Sequence, residues 1–227
     1  MKRFSVSTFG KAFALAGLMA ASASVYADNA ASAYVEPAMI GSKAAAAGVA
    51  DADGWTMVLS SELKNSGTPK DLVIGLSFET MLMTETVVKS KGGDKSTSRA
   101  NAEINIKVYV DGELAIPGEV TFDKREQTLW AKLGGILDCY DQNGDLIVSF
   151  DECTLTEEEI GLILDTKAAH SFNFIANNIG SGGHTIEAYA QLVADGEVVE
   201  GSGSHNESAA LGKGTMVVFE VQDSVTK

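Results

Sequence analysis

The densest set of oxygen ligands in the sequence lies between residues 141 and 152. Counted as a calcium loop of the EF-hand type, this segment has side-chain oxygens at its first, third, fifth, ninth and twelfth positions and a main-chain carbonyl at its seventh. The side-chain ligands are Asp141, Asn143, Asp145, Ser149 and Glu152, and the carbonyl belongs to Ile147. Because a hard cation prefers oxygen ligands, this spacing indicates a candidate Ca²⁺ site.

The same segment departs from the calcium pattern at its sixth position. An EF-hand loop has Gly there for a sharp turn, whereas this sequence has Leu146. No clear amphipathic helix precedes Asp141, although helices flank the loop in an EF-hand. The alternative is an acidic loop built on an Asn143-Gly144 turn, which needs no ion. We favour this alternative and keep calcium binding as the second hypothesis.

Two cysteines, Cys139 and Cys153, frame the acidic loop and are the only two in the chain. In an oxidising, exported compartment, cysteines separated by a short polar loop are expected to pair. The chain-entropy model gives such a closure roughly 3 kcal/mol of stabilisation. The alternative is a pair of buried free thiols. We predict a disulfide.

The histidines show no catalytic or metal-binding pattern. His170, His184 and His205 are scattered and lack the i, i+4 helical spacing of zinc enzymes. His170 and His184 would approach each other only if their strands paired across the glycine-rich turn at 180–183. We expect each histidine to form a hydrogen bond at a strand end. The sequence also has no Gly-x-Ser-x-Gly elbow, so a serine hydrolase is not indicated.

Two further sets of residues would suit a glycan. Carboxylate pairs such as Asp123 with Glu126, or Glu119 with Asp123, have residue types that do acid-base chemistry on a glycosidic bond. In a chain with 31 acidic residues, such pairs also arise by chance. Trp55 and Trp130 would stack on sugar rings if exposed, but we expect both to pack in the core.

The only locally basic segment runs from Lys89 to Arg99. We expect it to be an exposed hairpin loop between two long strands. Its cations would suit an acidic neighbour, including a second copy of this protein, or a surface phosphate. The favoured alternative is a solvated loop whose charges discourage strand pairing at a sheet edge.

Alternating apolar and polar residues predict the strands that must position these groups. The segment 71–89 alternates as one half-buried strand, or as two joined by a bend, and 101–110 alternates more regularly. Asp111-Gly112 then predicts a tight hairpin turn, since both of its central residues need positive φ. Further strands are predicted at 55–63, 120–123, 128–133, 171–176, 185–193 and 215–221.

One segment, Glu157 to Asp165, is equally compatible with a helix and a strand. Thr156 and Glu159 match a helix capping box, whereas the apolar residues at 160, 162 and 164 alternate as in a strand. The remaining segments give roughly eight to ten short strands without recurring helices. The predicted fold is therefore all-β, an antiparallel β-sandwich with at most this one short helix.

The last third of the chain carries a resemblance. The runs at 170–175, 180–188 and 214–218 resemble the closing strands of bacterial extracellular sandwiches. Immunoglobulin-like and jelly-roll modules share this pattern, so the resemblance implies an architecture and no activity.

Composition and the N-terminal residues predict where the protein acts. The chain has 227 residues and a net charge of -14, which argues against nucleic acid as a partner because an acidic surface repels phosphate. Residues 1–27 have the basic start, apolar middle and small-residue end of a signal peptide, with cleavage expected near Ala27. An Ala-rich arm at 28–54 and one sandwich domain at 55–227 would follow. No later segment has the length of apolar sequence that a transmembrane helix needs.

These observations favour a secreted, periplasmic or cell-surface β-sandwich without enzymatic activity, acting by binding or assembly and needing no cofactor. Self-association or a surface glycan would be its interaction. Two alternatives remain: a calcium-dependent carbohydrate-binding module that uses the 141–152 loop, and a polysaccharide-active enzyme that uses paired carboxylates.

Overall fold

The computed structural model describes residues 30–35, 40–41, 53–65, 69–144 and 146–221. The predicted signal peptide, most of the predicted arm and Asp145 lie outside the described residues. The described strands are β1 (Ala30–Val35), β2 (Ile40–Gly41), β3 (Trp55–Asn65), β4 (Lys70–Ser90), β5 (Lys95–Val110), β6 (Glu113–Leu114), β7 (Val120–Lys132), β8 (Ile136–Cys139), β9 (Cys153–Thr156), β10 (Glu158–Ile179), β11 (Gly182–Glu200) and β12 (Ser202–Val221).

Two antiparallel sheets form the body of the fold. The first sheet has the order β1-β12-β4-β10, and β2 also pairs with β12. In the second sheet β3, β11 and β5 are adjacent, and both β6 and β7 pair with β5. A separate hairpin consists of β8 and β9. The sheets pack face to face, which confirms the predicted all-β sandwich.

Alternation in β4 and β5 builds the core. Even-numbered residues of both strands face inward, and the apolar ones among them are almost fully buried. The largest fully buried core side chains include Leu72, Ile74, Leu76, Phe78, Ile104, Ile106, Phe174 and Ile186. Each such side chain contributes about 1.5–3 kcal/mol through removal of apolar surface from water.

Towards the end of β4 the interior becomes polar. Thr80 donates a hydrogen bond to Asp123 Oδ2 at 2.6 Å, and Thr84 donates to Gln127 Oε1 at 2.9 Å. Gln127 Nε2 in turn donates to the carbonyl of Leu162 at 3.0 Å. These bonds link β7 to β4 and β10 across the sandwich, since a buried polar group needs a partner to offset its lost hydration.

The ambiguous segment Glu157 to Asp165 is a strand, and the helix alternative is wrong. From Glu158 to Ala176 β10 pairs with β4 in one unbroken register. A helix here would remove this backbone pairing and turn the alternating apolar residues away from the inner face. The only helical element among the described residues is a 3₁₀ turn at Phe150–Glu152.

Among the remaining strand predictions, one open alternative is decided and two predictions need changes. Segment 71–89 is one strand without a bend, and the predicted strands 120–123 and 128–133 merge into β7. The basic segment Lys89 to Arg99 is mostly strand, because only residues 91–94 leave the ladders of β4 and β5. The tight turn at Asp111-Gly112 is confirmed, with φ of 53° and 83°. No helix in the described part of the chain is long and apolar enough to cross a membrane.

Candidate functional site

Glu152 organises the predicted calcium loop. Its carboxylate accepts hydrogen bonds from the N–H groups of Gln142 at 3.1 Å, Asn143 at 3.3 Å and Ser149 at 2.9 Å. The Ser149 N–H lowers the pKa of Glu152 most, although burial opposes the change. The loop therefore closes on a buried carboxylate that backbone donors hold in its charged form.

At the start of the loop, a second carboxylate also accepts hydrogen bonds from backbone N–H groups. Asp141 accepts hydrogen bonds from the N–H groups of Gly144 and, at 2.8 Å, Leu146. Leu146 has a φ of 67°, so a leucine adopts the left-handed conformation at the position where an EF-hand has Gly. The sharp turn that the calcium pattern requires is thus present without glycine.

The predicted ligand set is only partly described. The structure brings Asp141, Asn143, Ser149 and Glu152 into one loop with Ile147, while Asp145 lies outside the described residues. Among the described residues, no three His, Cys, Asp or Glu side chains form a group that could hold a metal. Calcium binding stays a prediction, and it would require Glu152 to exchange some of its backbone donors for the ion.

The predicted disulfide between Cys139 and Cys153 is confirmed. It joins directly opposed residues of β8 and β9, with their Cα atoms 4.0 Å apart. The enclosed loop also exposes several apolar side chains to solvent. These are Leu146, Ile147, Val148 and Phe150.

Each histidine has a carboxylate partner of its own. The distances are 2.6 Å from His184 Nδ1 to Asp111, 3.4 Å from His170 Nε2 to Asp123 and 2.9 Å from His205 Nδ1 to Glu207. His170 lies in the first sheet and His184 in the second, so the structure does not bring them together.

The basic segment is largely paired within the molecule. Lys89 contacts Glu159 at 2.8 Å, and Lys95 contacts Glu200 at 3.2 Å. Arg99 Nε lies 3.2 Å from Glu126. These cations serve neighbouring strands of their own sheets, which weakens the hypothesis that the segment recruits an acidic partner.

The structure does not bring the residues proposed for glycan chemistry, Asp123 and Glu126, together. Asp123 points inward to Thr80, while Glu126 lies on the outer face with Arg99, so these carboxylates occupy opposite faces of β7. Trp55 is buried as expected, with Lys107 Nζ 4.1 Å from its ring centre. Trp130 is 63% exposed, which contradicts its predicted core position. It faces outward because Ala131, its neighbour in β7, takes the inward position.

The free edge of β10 is the largest feature that sequence reasoning missed. One side of this strand pairs with β4 throughout, and the other side is the edge of the first sheet. Among the described residues, only Ile116 bonds to that edge, through two 2.8 Å backbone hydrogen bonds with Ile175. Since backbone direction alternates and the register has no break, the odd-numbered residues from 159 to 173 also direct their N–H and C=O groups outward.

The apolar residues of this edge are poorly covered. Ile160, Leu162 and Leu164 belong to the inner face but are about 40% exposed, although Gln127 of β7 bonds to the carbonyl of Leu162. On the outer face Ile163 is 62% exposed. The uncharged run at 160–164 is the sequence signal that could have identified this edge.

The neighbouring edge, formed by β7, differs in composition. It carries charged residues along much of its length, which is how natural sheets discourage edge pairing. These are Asp123, Lys124, Arg125, Glu126 and Lys132. The edge of β10 lacks such protection between residues 160 and 164.

No protein-family model matches the chain, and no curated protein matches its sequence.

Proposed function

We propose that this chain is an exported, non-enzymatic β-sandwich that assembles with copies of itself by strand pairing along β10. Export is supported by the signal-peptide pattern of residues 1–27 and by the Cys139–Cys153 disulfide, a bond typical of oxidising compartments. The observation that carries assembly is the edge of β10, which no described strand pairs with from 159 to 173 and which is uncharged from 160 to 164.

An edge of this kind is a template for another strand. Its outward backbone groups would gain hydrogen bonds from a partner, and its exposed apolar side chains would gain cover. A strand partner satisfies both needs at once. A small ligand or a globular surface would cover the side chains and leave the backbone groups unpaired.

A second copy fits the edge by charge. When two β10 strands meet antiparallel about a two-fold axis at Thr166, Asp165 of each copy lies opposite Lys167 of the other. These odd-numbered residues are the ones with outward backbone groups. The same register therefore forms hydrogen bonds and two opposite-charge cross-strand pairs, whereas axes at Asp165 or Lys167 oppose like charges.

This register also joins apolar residues. On the inner face, Ile160 lies opposite Phe172 of the second copy, and Leu164 lies opposite Ala168. On the outer face, Ile163 lies opposite Ala169. The pairing would extend the first sheet continuously from one copy into the other.

A charge placed at the edge tests the proposal. We expect Ile163→Lys to shift the mature protein from dimer to monomer in size-exclusion chromatography with light scattering. The new lysine of each copy would lie diagonally across from Lys167 of the other copy, so like charges would oppose strand pairing. Ile136→Lys is the matched control, since Ile136 is also 62% exposed but lies in the separate β8–β9 hairpin.

The control should remain dimeric at the same protein concentration. A wild-type protein that is monomeric at all concentrations up to the millimolar range would contradict the proposal. So would an Ile163→Lys variant that stays dimeric while its circular dichroism matches that of the wild type.

A further inference from the structure

A cavity of about 320 Å³ opens on the outer face of the first sheet, away from the second sheet. Small-ligand sites begin at about this volume. Its walls come from β1, β12, β4 and β10, so a single sheet supplies them all. The residues that give it chemical character are Tyr34, Ser77, Glu79, Lys213 and Thr215.

A β-bulge in β12 shapes the cavity. Leu211 pairs with Thr80 and Gly214 pairs with Phe78, so the two residues between them face Glu79 alone. Bulges of this kind redirect side chains and occur next to binding and active sites. Here the extra residue is Lys213, which the bulge places at the cavity wall beside Glu79.

Two glycines flank Lys213 in the bulge. A Cβ on Gly214 would overlap the ring of Phe78, which is almost fully buried below it. At the neighbouring position, a Cβ on Gly212 would lie 3.1 Å from Glu79 Cβ. Close packing therefore favours glycine on both sides of Lys213, against the core at 214 and against Glu79 beside the cavity at 212.

The walls combine one aromatic ring with several hydrogen-bonding groups. Tyr34 is 77% exposed, although its strand neighbours Ala33 and Val35 pack against the core. Ser77 and Thr215 pair across β4 and β12 and offer hydroxyl groups on the same face. Glu79 offers a carboxylate, and Lys167 Nζ lies 3.3 Å from one of its oxygens.

We propose that this cavity is a saccharide-binding site. A pyranose ring has an apolar face suited to Tyr34 and hydroxyl groups that both donate and accept hydrogen bonds. Glu79 accepts from such hydroxyls, Lys213 donates to them, and Ser77 and Thr215 do either. A phosphate ligand would meet the carboxylate of Glu79, and a lipid chain would leave these polar groups without partners.

The site and the proposed strand interface are different surfaces that meet at Lys167, which contacts Glu79 and would face Asp165 of a second copy. The saccharide would approach the outer face of the sheet, whereas a second copy would join the edge. The site also does not involve the 141–152 loop, so saccharide binding here needs no calcium.

Isothermal titration with a defined panel tests the site. The probes are tetrasaccharides of β-1,4-glucose, β-1,4-mannose, β-1,4-N-acetylglucosamine, α-1,4-glucose and β-1,3-glucose, each titrated into the mature protein with and without chelator. We expect at least one probe to bind and the chelator to have no effect. Tyr34→Ala should weaken that binding about tenfold through loss of stacking, and Tyr34→Phe should retain it.

Trp130→Ala is the matched control, because it removes another largely exposed aromatic ring, from the other sheet. It should leave the affinity unchanged. Failure of every probe to bind would overturn the proposal. It would also be overturned if Trp130→Ala abolished binding while Tyr34→Ala did not. Because one copy supplies every residue of the cavity, the monomeric Ile163→Lys variant should still bind the saccharide, so loss of assembly and loss of this site are distinguishable.

Discussion

Asp111 joins a turn to the strand beside it. Its φ of 53° makes the tight turn after β5, and its carboxylate accepts hydrogen bonds from His184 Nδ1 and, at 2.8 Å, from the Thr185 N–H. The bond to Asp111 raises the pKa of His184 above 6.5 despite partial burial. Partial burial alone would raise the pKa of Asp111, but the His184 and Thr185 bonds outweigh it and lower that pKa.

The pH dependence of stability follows from these directions. The raised pKa of His184 gives stabilisation that is complete below pH 6.5 and is lost as pH rises through the folded-state pKa. The lowered pKa of Asp111 gives stabilisation that is lost only in acid. The His184–Asp111 pair therefore stabilises the fold most where His184 is protonated and Asp111 is ionised, near pH 5.5.

We predict that Asp111→Asn reduces the free energy of unfolding more at pH 5.5 than at pH 8.5. Asn is suitable because it tolerates positive φ and keeps the turn. The difference should be below about 1 kcal/mol, since Asp111 is partly exposed and solvent screens the pair. Urea unfolding at both pH values measures it, and a loss of equal size at both would contradict this account.

Leu146 offers a test of the acidic loop. A non-glycine residue in the left-handed conformation costs roughly 1–2 kcal/mol, and Leu146 makes little contact in return because it is highly exposed. Leu146→Gly should raise the free energy of unfolding by roughly 0.5–1 kcal/mol, after the entropy of Gly in the unfolded chain is subtracted. Ile147→Gly, at the next position, should give no such gain in thermal unfolding.

At the residue scale, the sequence predicted what depends on local chemistry. The Cys139–Cys153 disulfide and the Asp111-Gly112 turn are examples, because each depends on residue type and short spacing. The exposure of Trp130 was not predictable in this way. It depends on which face of β7 meets the core. The bulge at Phe122 adds one residue to β7 and so changes whether odd- or even-numbered residues face inward.

At the element scale, the local sequence pattern of β10 does not decide between helix and strand. The run from 160 to 164 suits a helix or a strand, and pairing with β4 along its length selects the strand. That pairing is between residues far apart in sequence, so no short window contains it. The cavity beside Tyr34 was missed for the same reason. Tyr34 was assigned to the N-terminal arm, and its pairing with Thr215 joins residues far apart in sequence.

The bulge in β12 makes a prediction about packing. Gly214→Ala should lower the free energy of unfolding by about 1–3 kcal/mol, because the new methyl group forces the buried ring of Phe78 to move. Gly134→Ala is the matched control, since nothing lies within 4 Å of the Cβ it would add. Chemical denaturation of both variants measures the difference, and equal stabilities would contradict the close packing described here.

At the scale of the whole molecule, the sandwich is asymmetric. Along one side, β1 packs near β3 and its inward residues add to the core. Along the other side, the interior between β7 and β10 is polar and the apolar residues of β10 are partly exposed. The sequence predicted the two-layer architecture through alternation. It did not predict which edge stays open, because strand order is a property of the complete fold.

The overall charge makes unspecific association unfavourable. A net charge of -14 causes copies to repel one another at long range. The uncharged run at 160–164, followed by Asp165 and Lys167, offers one place where this repulsion is replaced by complementarity. Assembly through β10 should therefore give one defined pairing and not a mixture.

The most direct test is a cysteine placed on the proposed two-fold axis. In the symmetric register, Thr166 of one copy faces Thr166 of the other as a non-hydrogen-bonded pair, with Cα atoms about 4.5 Å apart. That separation suits a disulfide. Ser171→Cys is the control, because position 171 lies opposite Gly161 of the second copy and far from its own equivalent.

We predict that Thr166→Cys forms a disulfide-linked dimer under mild oxidation, seen in non-reducing electrophoresis and confirmed by mass spectrometry of the linked peptide. Ser171→Cys should stay unlinked under the same conditions. A Thr166→Cys protein that remains unlinked, or a Ser171→Cys protein that links to the same extent, would contradict assembly through β10.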